Sequence, residues 1–246
     1  MNSISERLDP FFESIGIEPQ AMGMSGRKYN GVYKGRTLKA DCSYRSRTRY
    51  AGPVRYRNYN GHRLNFTMGT PLKTRLILAS AGTVAGGIAA FINRRSGMTL
   101  MEDLGPDFAH LTVWAHDPAW VRQLLAQPGA LEMINHLLPP GELPPNIAVN
   151  LQPDQLLYSQ RVALGKVTPG RARNWVTALE NLLILAERSP APGRVAELSW
   201  YEKQARKNPT LVGCVTLSLI FGAVIAAGFA FTGFLLLVSF LLSSIG

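Results

Sequence analysis

Residues 211–246 run for 36 positions without one Asp, Glu, Lys or Arg. Leu, Val, Ile, Phe, Ala and Gly fill this C-terminal stretch, with a few Ser and Thr among them. A helix without a polar face has nothing to show to water, so the run asks for a lipid environment. About 20 apolar residues cross a hydrocarbon core of about 30 Å, whereas 36 in one helix would reach roughly 54 Å. Two short helices of about 16 or 17 residues, reversing near residues 228–233, fit that length best, and one long tilted helix is the alternative. Small residues at Gly213, Gly222, Gly228 and Gly233 would let such helices approach closely.

The flanks set an expected orientation. Lys203, Arg206 and Lys207 precede the run, and cationic flanks stay on the cytoplasmic side, so the large N-terminal part is expected to be cytoplasmic. Trp200 and Tyr201 lie just upstream, where aromatic rings anchor at headgroup depth, and together with the three cations they form the juxtamembrane set. The N-terminal "MNSISERLDPFF" carries charges where a secretion signal needs an apolar run. Cys42 lies in the polar part and Cys214 in the apolar run, so no disulfide is expected. Residues 76–92 are a second apolar stretch, but their Gly, Ala, Ser and Thr make them a poor span. They read better as a strand at 74–79 followed by a helix over about 82–93.

Four segments follow. Residues 1–26 form an amphipathic helix, with Ile4, Leu8, Phe11, Phe12 and Ile15 at helical spacing, and then a Met/Gly-rich linker. Residues 27–188 form an α+β domain, a mostly antiparallel sheet with helices packed on one face. Two alternating stretches read as hairpins within it, the second turning at Asn60-Gly61. Further strands are expected at 108–115, 147–151 and 155–162. Asp117-Pro118 and Thr168-Pro169 each place a capping side chain before a helix-opening proline. The first helix breaks at Pro128-Gly129; the second carries Trp175, Leu179, Leu182, Leu183 and Ala186 as one apolar stripe. Residues 189–208 are a Pro-rich linker and basic juxtamembrane segment, and 209–246 are the transmembrane region.

Charge is concentrated in the first third, where residues 1–75 hold 14 Lys and Arg against five Asp and Glu. Between Arg27 and Arg63 there are 11 cations, one acid (Asp41), and six of the eight tyrosines. In "YRSRTRYAGPVRYRNYNGHR", strand alternation places Arg45, Arg47 and Arg49 on one face and the tyrosines on the other, with Arg55 and Arg57 repeating the pattern. These five arginines are the candidate anion or partner contacts. On opposite faces, rings cannot stack on bases whose phosphates the arginines hold, which disfavours nucleic acid. A membrane surface needs only charge and tethering. An acidic protein partner in or at the membrane would serve the same charges, and a solvated face that keeps the sheet soluble is the plainest alternative.

Catalytic patterns are thin. Asp107, His110 and His116 are close in sequence, yet six strand residues separate the histidines by about 20 Å, too far for one ion. Asp117 is explained as a cap. "GTVAGGIAAF" lacks the Lys and the glycine order of a phosphate loop. The expectation is a membrane-anchored, non-enzymatic protein without a metal or cofactor, whose basic cytoplasmic domain binds or scaffolds a partner or anionic lipid. Two other classes stand beside it: a membrane-tethered nucleic-acid-binding protein acting through the Arg/Tyr ribbon, which would need tyrosines and arginines on one exposed face, and an enzyme with a site no pattern reveals, whose case would rise if Asp107, His110 and His116 met in the fold.

Overall fold

The computed structural model describes residues 4–22, 26–51, 54–80, 87–141 and 147–207. The expected transmembrane run lies outside them, and among the described residues no helix is long and apolar enough to cross a membrane. Two compact units divide the chain, Met1–Glu197 and Leu198–Gly246.

Among the described residues, the first unit is an α+β fold built on one nine-stranded sheet. Its strands are β1 (Pro19–Met22), β2 (Gly26–Tyr33), β3 (Arg36–Ala51), β4 (Val54–Gly69), β5 (Leu76–Ser80), β6 (Thr99–Met101), β7 (Leu111–Ala115), β8 (Ala148–Gln152) and β9 (Gln155–Val162). They lie in the order β1-β2-β3-β4-β9-β8-β5-β7-β6, and every neighbouring pair is antiparallel. The expected strand pair at 147–162 is β8 and β9. The strand expected at 74–79 is β5, while the one expected at 108–115 begins only at Leu111, because Pro106–Phe108 form a 3₁₀ turn.

Helices α1 (Ile4–Ser14), α3 (Pro118–Leu125), α4 (Ala130–Leu137) and α5 (Pro169–Arg188) share one core with the sheet. The side chains contributed by β3, β4 and β9 are alternate ones: Leu38, Ala40 and Cys42; Leu64, Phe66 and Met68; Leu156, Tyr158 and Val162. Period-two alternation accounts for this, since one strand face meets the helices and the other does not. The α5 stripe is buried as its spacing demands, and Thr168 and Asp117 cap α5 and α3 by accepting from Arg171 N–H (3.2 Å) and Trp120 N–H (3.1 Å).

Two expectations need correction. Helices do not all lie on one face: α2 (Gly87–Arg95) contributes Ala90 to a separate small core with Met98, Trp114, Ile77 and Leu100. Ile77 and Trp114 alternate with Leu76, Leu78, Val113 and Ala115, which face the main core, so α2 covers the opposite side of the sheet. The supposed linker after α1 is in part the edge strand β1, whose four residues are too short to show alternation. Helix α1 itself is core, with Phe12 stacked on Tyr29 at 3.8 Å between ring centroids and Tyr29 donating to Asp9 at 2.6 Å.

Ion pairs tie the helices to the sheet's cations. Arg36 forms a two-pronged pair with Glu187 (2.6 and 2.5 Å), which also accepts from Thr70 (2.7 Å), and Lys34 reaches Glu180 at 2.7 Å. Burial pushes the Glu187 carboxyl up, but the hydrogen bonds from Arg36 and Thr70 prevail and hold it below the usual range. Residues 190–197 follow α5 against the same unit, held where Asp117 accepts from Arg194 N–H (3.2 Å) and Ala196 N–H donates to Lys73 O (2.7 Å).

The second unit begins with Ser199 and Glu202 capping each other's backbone (2.8 and 3.2 Å) at the start of α6 (Trp200–Lys207).

Candidate functional site

The arginine ribbon occupies the outer halves of β3 and β4. Strand β2 pairs with β3 as far as Arg27↔Cys42, and β9 pairs with β4 as far as His62↔Val162. Beyond those limits, among the described residues, β3 and β4 pair only with each other, from Ser46↔Tyr59 to Ala51↔Val54. Six residues at about 3.3 Å each make a two-stranded arm that projects about 20 Å beyond its neighbours. The connection at 52–53 lies outside the described residues.

Asn60-Gly61 is not the hairpin turn. It is a β-bulge inside one continuous strand: the register runs Tyr44↔His62, then Ser46↔Tyr59, so Asn60 and Gly61 together oppose Arg45. Gly61 has φ +82°, the left-handed value that a glycine bulge and a tight turn both use, which is why the dipeptide alone could not separate them. A Cβ there would sit 2.8 Å from the Val162 carbonyl oxygen, so the bulge is also a point of close contact with β9.

The bulge overturns the expected separation of arginines from tyrosines. One extra residue reverses the alternation of β4 relative to β3. Cross-strand pairs share a face, so Arg47↔Asn58 and Arg49↔Tyr56 lie with Arg45, while Thr48↔Arg57 and Tyr50↔Arg55 lie with Tyr44 and Tyr59. Arg45, Arg47 and Arg49 are therefore on one face and Arg55 and Arg57 on the other, and each face carries tyrosine. Arg45 and Arg55 are exposed; the side chains of Arg47, Arg49 and Arg57 lie outside what is described.

At the root of the arm three rings meet. Tyr44, Tyr59 and His62 lie with centroids 5.4 to 5.8 Å apart. Leu164 N–H donates to the Tyr59 oxygen (3.0 Å), and the Tyr59 hydroxyl lies 2.8 Å from His62 Nδ1. Burial pushes the His62 pKa down, which favours a neutral ring whose Nδ1 accepts the tyrosine proton. This relay locks the root to the loop after β9. On the opposite face Asn65 bridges Asp41 (2.8 Å), Ser159 (2.8 Å) and Arg63 (3.2 Å). Burial raises the Asp41 pKa, against the Asn65 hydrogen bond and the charges of Arg63, Lys28 and Arg45.

The other candidates do not assemble. His110 Nε2, just before β7, lies 3.2 Å from Leu138 O, His116 follows the last residue of that strand, and Asp107 is exposed in the 3₁₀ turn. Among the described residues no group of three His, Cys, Asp or Glu side chains converges on a metal-sized site. Cys42 is a free, fully buried thiol pushed up to about 12 by burial and by Asp41. In the juxtamembrane set Trp200 is 74% exposed and Lys203, Arg206 and Lys207 are exposed, while the Tyr201 side chain lies outside what is described. Comparison of the chain with protein-family models, with curated proteins and with solved structures finds no match.

Proposed function

We propose that this is a membrane-anchored, non-enzymatic protein whose β3–β4 arm engages anionic lipid at the cytoplasmic face of the bilayer. Residues 209–246 anchor it as a helical hairpin, and Trp200, Tyr201, Lys203, Arg206 and Lys207 mark the interface. The supporting observation is the arm itself: five arginines and no acid on a ribbon that, among the described residues, pairs only with itself, while Arg27, Lys34 and Arg36 nearer the body of the fold are matched by Asp9, Glu180 and Glu187. A cation near an anionic leaflet gains about 1 kcal/mol. A planar surface meets one face of a ribbon, so the three-arginine face of Arg45, Arg47 and Arg49 would contribute about 3 kcal/mol, roughly 150-fold in partitioning.

The shared faces also favour a second reading, nucleic acid. A two-stranded ribbon fits a major groove, where phosphates flank both faces, and tyrosine beside arginine can stack while arginine neutralises. The two readings separate by face. In co-sedimentation of residues 1–197 with phosphatidylglycerol vesicles, reversing Arg45, Arg47 and Arg49 to Glu should cost more than tenfold, and reversing Arg55 and Arg57 less than threefold. Equal binding to neutral vesicles overturns the lipid reading. Tighter binding to duplex RNA or DNA, with both reversals equally damaging, establishes the second.

A further inference from the structure

Where the arm leaves the sheet, the helix side opens into a cleft of about 530 Å³ between the end of β9, the loop after it and the first turns of α5. That volume suits a small organic molecule. Its walls divide by chemistry. Ile147, Tyr158 and Trp175 supply a buried apolar side, with Tyr158 and Trp175 rings 6.5 Å apart. Arg161, Lys166 and Arg171 supply three cations, and among the described residues no Asp or Glu lines the cleft. Arg171 stands in the first turn of α5, at the positive end of a 20-residue helix, with its guanidinium 3.4 Å from the backbone carbonyl of Lys166, which lines the same cleft.

Gln160 is the independent sign of a ligand. It lines this cleft and is 5% exposed, on the core-facing side of β9 between Tyr158 and Val162. Its Nε2 is buried with no hydrogen-bond partner among the described residues. Leaving such a donor unmatched costs about 1–3 kcal/mol, so this amide favours an acceptor brought into the cleft. The neighbouring Tyr158 hydroxyl donates to Leu137 O at 2.9 Å and takes no hydrogen bond from Gln160.

We infer that the cleft binds a phosphate monoester carried on a flat apolar body. Lys166 and Arg171 hold the phosphate at the α5 N-terminus, Tyr158 and Trp175 pack the body, and Gln160 Nε2 donates to an oxygen of the ligand. This site is separate from the arginine arm and stands whether or not the arm binds lipid.

The test uses the full chain in non-ionic detergent, with 4-methylumbelliferyl phosphate as the probe in equilibrium dialysis. One saturable site is expected. Lys166→Ala with Arg171→Ala, both at exposed positions, should weaken binding at least tenfold, and Gln160→Leu at least fivefold. Arg55→Glu with Arg57→Glu should change it less than twofold. Inorganic phosphate alone and 4-methylumbelliferone alone should each bind at least tenfold more weakly than the ester. The proposal is overturned if the native chain shows no saturable site, if either half-ligand binds as tightly as the ester, or if the Lys166/Arg171 variant binds normally. Should Gln160→Leu fail to fold, the Lys166/Arg171 variant decides the matter.

Discussion

Replacing Gly61 by alanine should be among the most damaging single-methyl changes available in the sheet, and its cost can be built from two parts. The first is backbone strain: at φ +82° an L side chain crowds its own carbonyl, for about 1–2 kcal/mol. The second is collision, because the new Cβ would lie 2.8 Å from the Val162 oxygen and 3.4 Å from its carbon, both backbone atoms of the adjoining strand. Val162 is itself paired with His62 of β4 and cannot step aside cheaply, so overpacking adds about 1–3 kcal/mol. The sum is about 2–5 kcal/mol, or a fall in Tm of roughly 5–15 °C for a domain of this size. Gly35 supplies the control, since it has φ +78° in the β2–β3 turn and nothing within 4 Å of where its methyl would sit, leaving strain alone. Urea denaturation of the two variants, followed by tryptophan fluorescence at constant m-value, isolates the collision as the difference between them. If Gly61→Ala loses no more stability than Gly35→Ala, the bulge does not press on β9 and the collision is refuted.

Glu187→Gln should cost about 2–3 kcal/mol at neutral pH, since it strips a two-pronged, largely buried partner from Arg36. Because the folded Glu187 pKa is depressed, its contribution is present above the ordinary carboxylate range and disappears as pH falls through the folded pKa; native and variant denaturation curves should therefore converge in acid, and a constant gap would contradict the assignment. Asp117→Ala should cost about 1–2 kcal/mol by uncapping α3, and amide hydrogen exchange at Arg194 should rise with it, because one carboxylate serves both amides. Unchanged exchange at Arg194 would show that residues 190–197 are held by other contacts.

Several elements were legible in advance because their signals are local. Thr168-Pro169 and Asp117-Pro118 announce helix starts through cap chemistry confined to three or four residues, and the α5 stripe from Trp175 to Ala186 reads directly as a buried face. Strands β8 and β9 alternated clearly enough to place. The edge strand β1 carries no such signal, and Gln160 shows none at all: a lone glutamine in an alternating strand becomes informative only when its amide is buried without a partner.

By itself the sequence determined a charge-free apolar terminus, an α+β domain preceding it, and a cluster of arginines and tyrosines with a single acid among them. Those are matters of composition and short-range periodicity. The tertiary structure decided where the cluster stands and how its faces are dealt, because both depend on pairing between distant strands: β2 stops at Cys42, β9 stops at His62, and one glycine at position 61 shifts the alternation. Side-chain direction along a strand is a two-valued property, so a single unpaired residue reverses all that follow, and only the partner strands say whether Asn60-Gly61 turns the chain or bulges it.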